Sequence, residues 1–183
     1  MARLLLLRHG ESAWNAVGRW QGHADPPLSA HGEEQARRAG EALGGIGRVV
    51  SSDLRRARRT AELLAAASVL GEAYPELRER DVGVWSGLTN SEVDRDYPGD
   101  RAAGRTPPGW ESDEALVGRV LPVLERLVTG DEAAVLVVAH GGVLRAVEHR
   151  LRGEAATAGN LCGYWIEADG GLRVGERVRL LEG

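Results

Sequence analysis

Four consecutive leucines, Leu4 to Leu7, give way abruptly to the polar triplet Arg8-His9-Gly10. A short unbroken apolar run that ends in a polar loop predicts a strand over about 3–8, buried on both faces. A loop carrying glycine and tryptophan follows over 10–27. Ser29 is then placed as the N-cap of a helix reaching about 43, which Gly44, Gly45 and Gly47 stop. The apolar run at 46–51 predicts a second buried strand, and the next helical pattern spans about 53–66. A stretch broken by Pro75, Pro98, Pro107 and Pro108 reads as irregular over 74–109. Ser112 is placed as the cap of a helix reaching 127, with Asp113 and Glu114 in its favourable first turn. Residues 134–139 are again wholly apolar, and His140-Gly141-Gly142 leads from them into a helix ending near 151. Two closing strands, 161–168 and 172–181, are joined by the turn Asp169-Gly170-Gly171. Alternation of strands and helices implies an α/β fold with a mostly parallel sheet covered by helices.

Composition narrows the classes. The length of 183 residues suits a single domain over 1–183 with one core. A net charge of −4 argues against a general nucleic-acid binder, which normally presents a basic face. The single cysteine, Cys162, excludes an internal disulfide and any zinc site built from several thiolates, and is expected as a buried strand residue. The apolar run before Arg8 is too short for a signal-peptide core or a membrane span, and no later segment supplies one. A cytoplasmic protein is expected, acting without nucleic acid or membrane. The exposed edge implied by the terminal strands permits a monomer or a homodimer.

Three of the predicted strands end in residues suited to the same chemistry, namely Arg8-His9-Gly10, Ser51-Ser52-Asp53 and His140-Gly141-Gly142. Parallel strands bring these ends to one rim of the sheet, where open α/β folds bind ligands. Arginine offers a fixed fork of donors for phosphate oxygens, histidine a nucleophilic nitrogen, and glycine close approach of the backbone. The combination points to phosphate chemistry.

Arg8-His9-Gly10-Glu11-Ser12 with Asn15 resembles the signature of the histidine phosphatase superfamily, in its phosphoglycerate mutase-like branch 1. The likeness continues through Gly18 to Gly22, Asp25, Pro27-Leu28-Ser29 and Gly32 to Ala36. It extends to Ser52-Asp53-Leu54 with Arg56-Ala57 and Thr60-Ala61, to Leu77, Glu79, Gly83 and Gly87, and to His140-Gly141-Gly142. The resemblance implies a phosphoglycerate mutase-like three-layer α/β/α sandwich with helices on both faces of the sheet. It implies that His9 attacks phosphorus and carries a phosphohistidine. Arg8, Arg56 and His140, with Asn15, would hold the equatorial oxygens; Gln21, Gly22 and Gly141 would border the phosphate. Glu79, which its charged surroundings could not single out, would protonate the leaving alkoxide and later deprotonate water. No metal or other cofactor is implied, since arginines supply the positive charge. His9 must be neutral to attack and Glu79 protonated to donate, so a bell-shaped pH profile with its optimum on the acidic side of neutrality is expected.

The same pocket could hydrolyse a small phosphomonoester or move a phosphoryl group between hydroxyls. Only about thirty residues separate Glu79 from Trp110, too few for the cover that shields the intermediate in mutases of this family, so hydrolysis is favoured over the mutase alternative. A non-catalytic phospholigand-binding module is disfavoured because His9, Glu79, Arg8, Arg56 and His140 are all present. A metal hydrolase is disfavoured because the five histidines and the acids show no ligand spacing. Arg55, Arg58 and Arg59 are read as a solvated helix face, His31 and His149 as surface residues, and His23 as a candidate to face substrate. Trp110 stands where the family more often has glycine, and Trp20 and Trp110 suit a rim above the pocket.

Overall fold

The computed structural model describes residues 3–65, 68–129 and 134–181. Six strands, β1 (Arg3–Arg8), β2 (Arg48–Ser52), β3 (Val69–Tyr74), β4 (Ala134–Ala139), β5 (Cys162–Ala168) and β6 (Leu172–Arg179), form one sheet in the order β3-β2-β4-β1-β5-β6. The first four in that order run parallel. β5 and β6 add an antiparallel hairpin at one side.

Alternation along β1 divides its leucines between two cores. Leu4 and Leu6 pack with Val50, Val135 and Val137 beneath α5 (Asp113–Val128) and α6 (Gly141–Arg152). Leu5 and Leu7 pack with Val49, Leu136 and Val138 on the opposite face, under α2 (Ala30–Ala42) and α3 (Arg55–Leu64). The expected three layers are therefore present.

Ser29 and Ser112 cap α2 and α5 through their side chains as the sequence implies. Leu54 caps α3 without a side-chain bond, so this helix starts two residues later than the reading from 53. Residue 66, its expected end, lies outside the described residues. One strand and two α-helices among the described residues were not foreseen. β3 pairs beside β2 with Val69 and Leu70 exposed, so its periodicity is that of an edge strand. The stretch read as irregular contains α4 (Asn90–Asp96), opened by a capping box between Thr89 and Glu92. Ser12 and Asn15 form a second capping box around the single turn α1 (Ala13–Ala16), inside the loop after β1.

Strand order positions the site. β4 lies between β1 and β2, with Arg8 opposite Ala139 and Ser51 opposite Val138. The three polar strand ends are consequently neighbours on one rim. At that rim Gly32 of α2 lies against the Glu11 carbonyl so closely that a Cβ would overlap it, which ties the loop after β1 to α2.

Candidate active site

His9 leaves β1 with its N–H donated to the Ala139 carbonyl at 3.0 Å, which fixes its backbone at the β1–β4 junction. Asn160 Nδ2 donates to the His9 carbonyl at 2.9 Å. The ring is anchored by Nδ1, 2.6 Å from the Gly10 carbonyl. A carbonyl only accepts, so Nδ1 carries the proton and the lone pair lies on Nε2. Gly10 N donates to Thr60 Oγ1 at 3.1 Å, and Thr60 Oγ1 donates to the Arg56 carbonyl at 2.7 Å. The loop after β1 is thereby bound to α3.

Helical spacing turns Arg56, Ala57, Thr60, Ala61 and Leu64 of α3 inward, while Arg55 and Arg58 remain exposed. Arg56 is wholly buried. Its guanidinium donates to the carbonyls of Ala24 at 2.7 Å and Gly22 at 2.9 Å. Arg8 donates to the Ala158 carbonyl at 2.8 Å. The His9 and His140 rings meet edge to face with centroids 5.1 Å apart.

Burial is the largest influence on all four groups. It holds His9 well below its ordinary value of 6.5, with Arg56 and Arg8 reinforcing and the Gly10 carbonyl opposing. His140 is likewise held well below 6.5 by burial, then by Arg56. Burial lowers Arg8, and pushes Arg56 down to about 10 against the opposing pull of Glu79 and Asp25. Both arginines remain charged at neutral pH beside two neutral imidazoles. Arg8 Nε, Arg56 Nε and both ring nitrogens of His140 are buried without a hydrogen-bond partner among the described residues. Buried polar atoms are normally satisfied, so this concentration marks a place built to receive an acceptor. A tetrahedral oxyanion has the matching charge and lone pairs.

Glu79 lies against the N-terminus of α6. Its Oε2 accepts the Gly142 N–H at 3.1 Å and its Oε1 accepts the Arg80 N–H at 2.7 Å. Arg8, Asn15, Gln21, Gly22, Glu79 and Gly141 all line one cleft of about 490 Å³. His9, Arg56 and His140, at 2%, 0% and 0% exposure, are not part of that lining but adjoin it: His9 and His140 are chain neighbours of Arg8 and Gly141, and Arg56 is bonded to Gly22. Ser12 Oγ donates to Gln21 Oε1 at 2.8 Å and accepts the Asn15 N–H at 3.0 Å, fixing two of the lining residues relative to each other. All nine residues expected at the site therefore converge.

His23 does not join them. It is exposed and absent from the cleft's lining, with its Nε2 2.8 Å from the Glu79 carbonyl. Cys162 is half-buried rather than buried, at the start of β5. His31 and His149 are exposed as expected.

Two supporting residues escaped the sequence reading. Arg119 of α5 donates to the Glu76, Arg78 and Glu79 carbonyls at 2.6, 2.8 and 3.0 Å and pairs with both oxygens of Glu111. Its signal was available, because it interrupts the buried stripe of Leu116, Val120 and Val123. Asn160 stands in an irregular segment with no such signal. Among the described residues no group of three or more histidines, cysteines or acids is arranged to hold a metal, and no helix is long and apolar enough to cross a membrane.

The family model of the histidine phosphatase superfamily (branch 1) matches residues 4–168. The chain is 41% identical over 167 residues to a glucosyl-3-phosphoglycerate phosphatase of Mycolicibacterium vanbaalenii, covering 82% of this chain and 74% of that protein. It is 37% identical over 174 residues to a metal-independent phosphoserine phosphatase of Arabidopsis thaliana, covering 88% and 73%. Among solved structures, mycobacterial glucosyl-3-phosphoglycerate phosphatase in complex with VO3 superposes with a TM-score of 0.84 at 33% identity, covering 95% and 96%. Sequence, fold and strand-end chemistry agree: the chain belongs to the histidine phosphatase superfamily, branch 1, with a phosphoglycerate mutase-like fold.

Proposed function

We propose that this chain hydrolyses small phosphomonoesters through a covalent phosphohistidine on His9, with Glu79 as proton donor and no metal ion. The observation that carries the reading is the group of buried, unpartnered donors on Arg8, Arg56 and His140 around a histidine whose Nε2 keeps its lone pair. In the first step His9 Nε2 bonds to phosphorus while the phosphorus–oxygen bond to the alcohol breaks. Glu79 gives its proton to the departing oxygen. Positive charge arising on the imidazole is stabilised by the Nδ1–H bond to Gly10, and the phosphoryl oxygens are held by Arg8, Arg56, His140 and Asn15. In the second step the Glu79 carboxylate takes a proton from water, whose oxygen bonds to phosphorus. The phosphorus–nitrogen bond breaks, the lone pair returns to His9, and inorganic phosphate leaves.

The reading takes the chain as one domain acting in the cytoplasm on a small metabolite, alone or as a homodimer. It is supported by the single sheet, the acidic balance and the lone cysteine. Glucosyl-3-phosphoglycerate and phosphoserine, named for two relatives, enter the substrate panel with 3-phosphoglycerate and 2,3-bisphosphoglycerate. Time-resolved product analysis with EDTA present is the test. Phosphate release that persists in EDTA and vanishes in His9→Ala is expected. Interconversion of 2- and 3-phosphoglycerate without release would identify a mutase. Loss in EDTA restored by zinc or magnesium would identify a metal hydrolase, and ligand binding without turnover a phospholigand-binding module.

A further inference from the structure

We propose that the cleft contains a leaving-group subsite, lined by Trp20, Trp110 and Arg145, that selects phosphate esters whose alcohol carries both a ring and a second anionic group. The inference rests on the role given to Glu79 above, because the proton donor marks the side from which the alcohol departs. Arg80 follows Glu79 in the chain, and its guanidinium lies 5.4 Å from the centre of the Trp110 ring. Glu79 and Trp110 also line the same cleft, so the indole borders the space into which the alcohol would depart.

Trp20 and Trp110 meet edge to face at 6.0 Å, and both rest on buried Trp85, at 5.5 and 5.8 Å respectively. Trp20 Nε1 donates to Asn90 Oδ1 at 3.0 Å, which fixes the plane of that indole. Both rings are half-buried and line the cleft. Two indoles held rigidly at a cleft wall offer flat apolar surface and π faces at little entropic cost, the surface a sugar or aromatic ring needs. The volume of about 490 Å³ exceeds what a phosphoryl group on a short carbon chain fills.

Four arginines line this cleft. Arg8 belongs to the phosphate clamp, Arg19 pairs with Glu92 at 3.0 Å, and Arg80 pairs with Asp113 and donates to the Glu111 carbonyl. Arg145 is exposed and makes no hydrogen bond or ion pair with the described residues. It follows Gly141 and Gly142 by four and three positions on α6, so it stands one turn above the backbone that holds Glu79, on the same helix face. Asp113, which borders the adjoining hollow with Arg145, is already engaged by Arg80. An uncommitted guanidinium facing the cleft beyond the clamp is suited to a carboxylate or second phosphate on the alcohol.

The test compares kcat/KM on glycerol 3-phosphate, 3-phosphoglycerate, phenyl phosphate and carboxyphenyl phosphate, which carry neither feature, the anion, the ring and both. Each variant is referred to wild type on the same ester, so intrinsic leaving-group reactivity cancels. Arg145→Gln is expected to lose about tenfold more on the two carboxylate esters than on the other two, chiefly in KM. Trp20→Ala is expected to lose about tenfold more on the two ring esters, with Trp20→Phe restoring most of it. Equal losses on all four esters for both variants would overturn the subsite while leaving the phosphatase reading intact. Activity that survives His9→Ala would overturn that reading instead.

Discussion

Gly142 N–H and Glu79 Oε2 are joined by a hydrogen bond of 3.1 Å, which holds the carboxylate against the first turn of α6, immediately after His140. A Cβ at position 142 would overlap Glu79 Oε1, so any larger residue there would force the carboxylate to shift from this seat. Gly142→Ala should displace the carboxylate and lower kcat by about 10- to 100-fold on alkyl phosphates, whose leaving oxygen needs a proton. On p-nitrophenyl phosphate, whose leaving group needs none, the loss should be several-fold smaller. Equal losses on both ester types would remove Glu79 from the role of donor.

Arg56 is fully buried, bonded to the carbonyls of Gly22 and Ala24, and keeps its Nε without a partner among the described residues. Arg56→Ala should reduce kcat by about 10²–10³-fold if it acts as one preorganised transition-state donor. Arg56→Lys should recover little, because an ammonium cannot reproduce the planar fork. Full recovery by lysine in steady-state kinetics would show that charge alone matters at this position.

The buried histidines predict two pH effects. His9 is held well below 6.5, so it stays neutral and nucleophilic as the pH falls through that value. After correction for ionisation of the substrate phosphate, kcat/KM should show no acid limb at 6.5. Stability moves the other way. In the unfolded chain His9 and His140 take protons near pH 6.5, whereas the folded chain excludes them until lower pH. Their contribution is complete above about 6.5 and declines as the pH falls below it. Calorimetric Tm from pH 8 to pH 5 should therefore fall, and fall less steeply in His140→Asn. Parallel curves for the two proteins would contradict the linkage.

Arg119 binds three carbonyls of the segment ending in Glu79 and is held by Glu111. Arg119→Ala should cost roughly 2 kcal/mol of stability, since a partly buried charged network loses its centre. It should also show the selective loss on alkyl over p-nitrophenyl phosphates that marks a misplaced Glu79. A lower Tm with uniform loss on both esters would leave Arg119 a purely structural residue.

Local patterning was enough to foresee the layers and the rim. Leu4 to Leu7, the apolar run 134–139 and the capped helices after Ser29 and Ser112 carry strong signals, because burial on two faces and helix-end hydrogen bonding are decided within a few residues. His9, Arg8 and His140 were legible for the same reason, being fixed to strand ends, whereas Arg56 and Glu79 were singled out from neighbouring charged residues only by the family resemblance. β3 and α4 were not, since an edge strand with exposed Val69 and Leu70 lacks the buried pattern, and Thr89 lies among turn residues. Assembly of the sheet was needed to put β4 between β1 and β2, which brings His9 and His140 into ring contact. Long-range packing likewise set Glu79 on the backbone of Gly142, drew His23 to the Glu79 carbonyl and left Arg145 unpaired in the cleft that Trp20 and Trp110 also line. Such contacts join residues tens of positions apart through backbone groups that every residue possesses, so side-chain identity carries no local trace of them.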